Sequence, residues 1–210
     1  MAFLGNIMKQ LLDYIFSYTG NYGLAIIIIT VLIKLVLLPF SFQQFHSIKK
    51  MQELAPEQKR LQEKYKNDKE KLNKELMKLY QENKVNPLGG CLPLLIQFPF
   101  IIALFRSLQT YDFEQASFLW IKDLGAPDSL YILPVLAAIT TYLSSKIATP
   151  AASPEASNNT MNIVMACLIG WMAIKFPSGL ALYWVVSNIV QILQQLLIMR
   201  SPAPVKEDVK

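Results

Sequence analysis

YGLAIIIITVLIKLVLLPF, residues 22–40, is an almost unbroken aliphatic and aromatic run whose markedly polar members are Thr30 and Lys34. About 19 such residues are enough to cross a bilayer core as a helix. Lys34 is the anomaly: an ammonium at that depth costs roughly 2.5–3.5 kcal/mol on insertion scales. A paired acid is the usual remedy, yet no Asp or Glu falls in any long apolar run of the chain. Lys34 therefore has to reach water, a set of carbonyl groups, or a group brought by another molecule. At the helical rise it lies roughly 18 Å from the outer end of the run and about 9 Å from the inner end. That depth fits a cation lining a cavity open to the cytoplasm. It fits equally a lysine that snorkels to the inner interface.

The rest of the chain repeats the pattern. Of 210 residues, 53% are hydrophobic and only 17% charged, against about 25% charged in soluble domains; the mean hydropathy is +0.31. The apolar residues gather in five blocks, 21–42, 88–109, 129–147, 161–176 and 179–199. These read as five transmembrane helices of one all-α, polytopic bundle. The fourth, 161–176, is short and needs tilt or local bilayer thinning. Five spans put the termini on opposite sides. Segments 43–87, 148–160 and 200–210 together hold 14 Lys/Arg, while 1–20, 110–128 and the turn at 177–178 hold two, Lys9 and Lys122. The excess of positive charge places the first set in the cytoplasm, the N-terminus outside and the C-terminal tail inside.

Residues 1–20 lack a small-residue cleavage site and a clean apolar core, so they do not read as a secretory signal. Phe3, Leu4, Ile7, Leu11, Tyr14, Ile15 and Tyr18 fall at helical spacing, which predicts an amphipathic helix on the outer face. A short peripheral helix packed on the bundle, with no role of its own, fits the same spacing. Between the first two spans, 43–87 is rich in Lys, Glu, Gln and Leu, all good helix formers. Leu54, Leu61 and Tyr65, then Leu72, Leu76, Leu79 and Tyr80, make a thin seam on either side of a turn at 66–69. The expectation is a mobile cytoplasmic helical hairpin whose second helix starts at an Asn67–Glu70 capping box. Pro56 suits a helix start or a kink. Gly89, Gly90, Pro93 and Pro99 predict an irregular second span. The tight turn at 176–179 makes spans four and five antiparallel neighbours.

Polar residues inside the spans are numerous. Thr140, Thr141, Ser144 and Ser145 share one face of the third span, and Trp184, Ser187, Asn188, Gln191 and Gln195 make a stripe on the fifth. Interhelical hydrogen bonding accounts for any one of them. Taken with Lys34, Thr30 and Gln97, the set is larger than a dry small bundle keeps, which favours a wet cavity. Catalysis finds no support: there is no HExxH, GxSxG or P-loop pattern, and the spans hold neither an acid pair nor a Ser/His pair. The chain reads as a non-enzyme. Cys91 and Cys167 read as buried free thiols, and the lone His46 has no ligand partner at metal-binding spacing, so neither a metal nor a cofactor is called for. A small ion channel or carrier is one alternative, although no internal repeat is visible. A membrane assembly scaffold with a cytoplasmic coiled hairpin is another.

Three motifs in this order, IIIIT-x3-K-x4-P at 26–39, NPLGGCLPLLIQFP at 86–99 and FPSGLALYW-x2-SN at 176–188, with the Lys/Glu-rich hairpin between the first two, resemble the YidC family of membrane protein insertases. The resemblance covers about residues 20–200. It implies a bacterial inner (plasma) membrane protein whose five spans enclose a hydrophilic groove, open to cytoplasm and lipid and closed on the outer side. It implies insertion and chaperoning of nascent membrane proteins in the lipid bilayer, and work with the ribosome and the Sec translocon, with no direct nucleic-acid substrate. Lys34 matches the family's basic groove residue, where Arg is usual; Lys keeps the charge but not the planar fork. Thr30, Gln97, Tyr183, Trp184, Ser187, Asn188 and Gln191 match groove-side or neighbouring positions, and 47–84 matches the loop that receives substrates. The large outer domain of Gram-negative members and the lipoprotein cysteine of many Gram-positive ones are not seen. The tail 201–210, with Lys206 and Lys210 offset by Glu207 and Asp208, makes ribosome contact there doubtful.

Overall fold

The computed structural model describes residues 2–83, 85, 97–98, 101–105, 116–148 and 159–200. The described residues are helical apart from turns, caps and the loop 116–131. The helices are α1 (Ala2–Thr19), α2 (Tyr22–Val36), α3 (Leu38–Glu53), α4 (Ala55–Lys64), α5 (Lys69–Glu82), α6 (Ile132–Ala148), α7 (Asn159–Ala173) and α8 (Ser178–Arg200). Residues 97–98 and 101–105 are the described part of the second span. Gly89, Gly90, Pro93 and Pro99, expected to make the second span irregular, the loop 110–115, Cys91, most of loop 148–158 and the tail 201–210 lie outside the described residues.

The first apolar run is not one straight helix. Asn21 starts α2, its side chain accepting from the Leu24 N–H at 3.2 Å. Pro39, which has no N–H to return to the carbonyl of Leu35, sits in the first turn of α3. Its effect is visible at Leu37, the last residue to bond back into α2, with its N–H on the Ile33 carbonyl at 2.9 Å. There the chain turns by 64° into α3. Span one of 21–42 is thus α2 plus the first turn of a bent continuation. Lys34 falls in the last turn of α2, where the unpaired carbonyls of a helix C-terminus favour a cation. It is two residues from the helix end, closer than its place in the apolar run suggested.

By length and composition, among the described helices only Ser178–Leu197 of α8 can cross a bilayer alone; α2 and α3 pass as a bent pair, and α6 and α7 are shorter apolar helices. α8 is the hub, packing against α2, α3 and α6. Its first turns, Leu180, Ala181, Leu182, Tyr183 and Val185, join Ala25, Ile26 and Ile29 of α2 and Leu133 and Ala137 of α6 in one buried core. α7 lies along α6 and barely meets α8, so spans four and five are joined by a tight turn without being packed partners. The reason is steric. A Cβ at Gly170 would stand 2.9 Å from the Ala138 methyl and 3.3 Å from the Pro134 carbonyl; two small surfaces let α6 and α7 approach closely.

Two local readings, the cap of α5 and the burial of Cys167, are corrected. The cap of α5 is Asp68, which accepts from the Lys71 N–H at 3.0 Å, one residue after the expected Asn67. Pro56 stands in the first turn of α4 after a break at Leu54, a helix start as its place in the sequence suggested. Cys167 is exposed on α7, on the flank with Ile163, Val164, Leu168 and Trp171. On α1, Met8 and Leu12 are buried against the bundle and Ile15 packs on its core, while Leu11, Tyr14 and Tyr18 point outward beside the exposed Lys9 and Gln10.

Candidate functional site

The polar residues of α8 divide by helical spacing into two faces. Tyr183, Ser187, Gln191 and Gln194 recur at steps of four, four and three, and they meet α2 and the second span. Trp184 and Asn188, four apart, meet α6. Side chains four apart stack on one face of a helix, so this division follows from the sequence once the neighbours of α8 are known.

On the first face Lys34 is 8% exposed. Its Nζ donates to Oε1 of Gln191 at 3.2 Å, and the Nε2 of Gln194 donates to the Lys34 carbonyl at 3.4 Å. Two neutral amides from one helix thus hold both ends of the lysine. Among the described residues no carboxylate lies within ion-pair distance of it. One turn earlier, Thr30 is buried, and its hydroxyl donates to the Ile26 carbonyl at 2.6 Å, leaving only its lone pairs for another group. Nearer the start of α8, Gln97 of the second span donates to the Tyr183 hydroxyl and to Ser187 Oγ at 3.4 Å.

On the second face Asn188 Nδ2 donates to Thr140 Oγ1 at 3.1 Å and to Thr141 Oγ1 at 2.9 Å. Trp184 Nε1 donates to Thr141 Oγ1 at 3.3 Å. These bonds tie α8 to α6 and satisfy groups that would otherwise be costly in an apolar interior. The structure therefore brings Lys34 and Gln191 together, and Gln97 with Tyr183 and Ser187. It turns Trp184 and Asn188 onto α6. Sequence reasoning missed Gln194; the three-residue step from Gln191 was the available signal. Further along, Gln195 is 1% exposed, and neither of its amide atoms has a hydrogen-bond partner among the described residues.

Loop 116–131 packs over the starts of α6 and α8. Leu124 and Ile121 are buried in the core. The carbonyls of Leu124 and Ala126 accept from the N–H groups of Gly179 at 2.9 Å and Ser178 at 2.8 Å, so the loop caps the otherwise unpaired start of α8. Asp128 does the same for α6: its carboxylate accepts from the N–H groups of Leu130 at 3.1 Å and Leu133 at 2.8 Å, and from Trp120 Nε1 at 3.5 Å. Phe118 lies directly on Gly23 of α2. Charge and composition alone had marked this segment only as a loop.

The family model described as the 60Kd inner membrane protein matches residues 14–205. A relative from Caldanaerobacter subterraneus subsp. tengcongensis, named membrane protein insertase YidC, is 47% identical over 98% of this chain and 98% of its own length. One of the same name from Fusobacterium nucleatum is 41% identical over 97% of this chain and all of its own length. One from Geobacter sulfurreducens is 42% identical over 95% of this chain, but over only 38% of its own longer sequence. Among solved structures, a crystal structure of an active YidC insertase with its first transmembrane domain resolved superposes with a TM-score of 0.75, at 31% identity, over 90% of this chain and 44% of that one.

Proposed function

The chain belongs to the 60Kd inner membrane protein family of YidC insertases, and on that premise we propose that it inserts membrane proteins through a cationic, hydrated site built around Lys34, between α2 and α8. It is an all-helical membrane protein insertase of the bacterial inner membrane. The finer reading rests on one observation above the others: Lys34 is buried against α8 with a neutral acceptor on its ammonium and, among the described residues, no acid beside it. A permanent acid partner would neutralise the site. Its absence leaves a cation ready for an acidic group on a passing substrate.

Inserting a protein means carrying a polar segment across hydrocarbon, where each unpaired polar or charged group meets a large desolvation cost. A positive site reached from the cytoplasm shortens the apolar distance, and in a medium less polar than water its attraction is less screened. The outer loop bonded to the starts of α6 and α8 fits a site closed on the outside. The bend at Leu37, next to Lys34, swings α3 away from the axis of α2 and fits an opening on the inside. We place 43–87 in the cytoplasm, α1 on the outer face and the C-terminus inside, from the Lys/Arg distribution. The bilayer is the medium and nascent membrane proteins are the substrates; the ribosome and the Sec translocon are proposed partners carried over from the family. Catalysis of a chemical step is not part of this reading.

The test is insertion of two single-span reporters, identical but for an acidic or a neutral outer segment, into vesicles carrying each variant. Lys34→Ala lowers the acidic-to-neutral insertion ratio, Lys34→Glu lowers it further, and Lys34→Arg restores it. A ratio that ignores all three substitutions would mean that Lys34 only snorkels.

A further inference from the structure

Position 191 holds a neutral amide where an acid would fit. Gln191 Oε1 is 3.2 Å from the Lys34 ammonium, and glutamate has the same length and shape as glutamine, so a carboxylate at 191 would stand within ion-pair distance of Nζ. We propose that Gln191 is a displaceable placeholder for the acidic group of the substrate and thereby sets which substrates Lys34 can receive. The proposal rests on the reading of Lys34 given above.

Three features carry it. An ammonium held by a neutral carbonyl is held roughly half as strongly as one held by a carboxylate, so an arriving carboxylate displaces the amide while a neutral segment does not. Lys34 and Gln194 are buried, but Gln191 is half-buried, so the displaced amide has somewhere to go. The backbone of Lys34 is held separately, by Gln194 Nε2 on its carbonyl. The side chain can therefore change partner without freeing the end of α2, where the chain turns by 64°. Gln194 acts as a positioning residue and Gln191 as the occupant that leaves.

The experiment uses the full chain in proteoliposomes with the acidic and neutral reporters, read as the ratio of the two insertion yields. Gln191→Glu installs a permanent acid on Lys34, and the ratio falls roughly ten-fold, the difference between a charged and a neutral acceptor for an ammonium. Gln191→Met removes the competing acceptor at similar volume, and the ratio rises above the parent value. An unchanged ratio in Gln191→Glu, or a ratio in Gln191→Met that does not rise, overturns the placeholder. Lys34→Ala separates this from the underlying reading. If Lys34→Ala lowers the ratio while Gln191→Glu does not, only the placeholder fails; if neither lowers it, the Lys34 site itself fails.

Discussion

Substituting Gly23 tests how loop 116–131 is held on the bundle. A Cβ built on Gly23 would lie 2.2 Å from Cγ of Phe118, 2.4 Å from Cδ2 and 2.6 Å from Cβ. Real carbon contacts do not come so close, so something must move. The atoms in the way are the root of the phenylalanine side chain, which cannot swing aside by a rotamer change at its tip. The backbone of Phe118 is itself fixed in a tight two-way pairing with Ile121, at 2.8 Å in each direction. Asn21 Nδ2 adds a bond to the Ser117 carbonyl at 3.1 Å. Gly23→Ala therefore pushes the loop bodily off α2. Overpacking of this kind costs typically about 1–3 kcal/mol, and the upper part of that range is expected here because the displaced loop also carries the caps of α8.

The assay is a double-mutant cycle on thermal unfolding in detergent. Gly23→Ala lowers the midpoint by about 5 °C, taking a chain of roughly this size to lose about 2–4 °C per kcal/mol. Phe118→Gly loses part of the loop packing by a different route. The double variant is no less stable than Phe118→Gly alone, since Cβ and the ring are both gone and the methyl has room, and the coupling is of the order of the overpacking cost. Additive losses in the double variant would refute the argument, because the Gly23 effect would then have nothing to do with Phe118.

Asp128→Ala removes the acceptor for the Leu130 and Leu133 N–H groups and costs about 2 kcal/mol, with a shift in the fluorescence of the Trp120 indole that shares it; Asp128→Asn recovers part of both. A variant with parent stability and emission would show that Asp128 caps nothing. For topology, single cysteines at the exposed positions Glu70 and Lys122, in a background without Cys91 and Cys167, are treated with an impermeant thiol reagent on whole cells; Lys122→Cys labels and Glu70→Cys does not, and the reverse pattern inverts the orientation.

The all-helical fold was legible because apolar run length is summed over many residues, and such sums survive local error. The details that escaped are each decided by one contact between distant segments. Nothing in AIIIITVLIKLVLLP says that the helix breaks at Leu37; Pro39 permits it, but many membrane helices carry a proline with little bend. The spacing of Ile7, Leu11, Tyr14, Ile15 and Tyr18 marks an apolar face, yet which side turns to the bundle was settled by Met8 and Leu12, each one step around the helix. Gly170 opposite Ala138 decides that α7 follows α6, and a tight turn to α8 could not reveal that.

The candidate site shows the same limit at closer range. A stripe of Trp184, Ser187, Asn188, Gln191 and Gln195 is visible in the sequence as one polar set. Helical geometry splits it, because residues 184 and 188 lie about 100° around the axis from 183 and 187. Only the neighbours tell what each half does. Thr140 and Thr141 take Trp184 and Asn188 for packing, while Lys34 takes Gln191. The two halves then make separable claims on the same helix. Substitutions toward α6 act through stability, and those toward α2 act through the company that the Lys34 ammonium keeps.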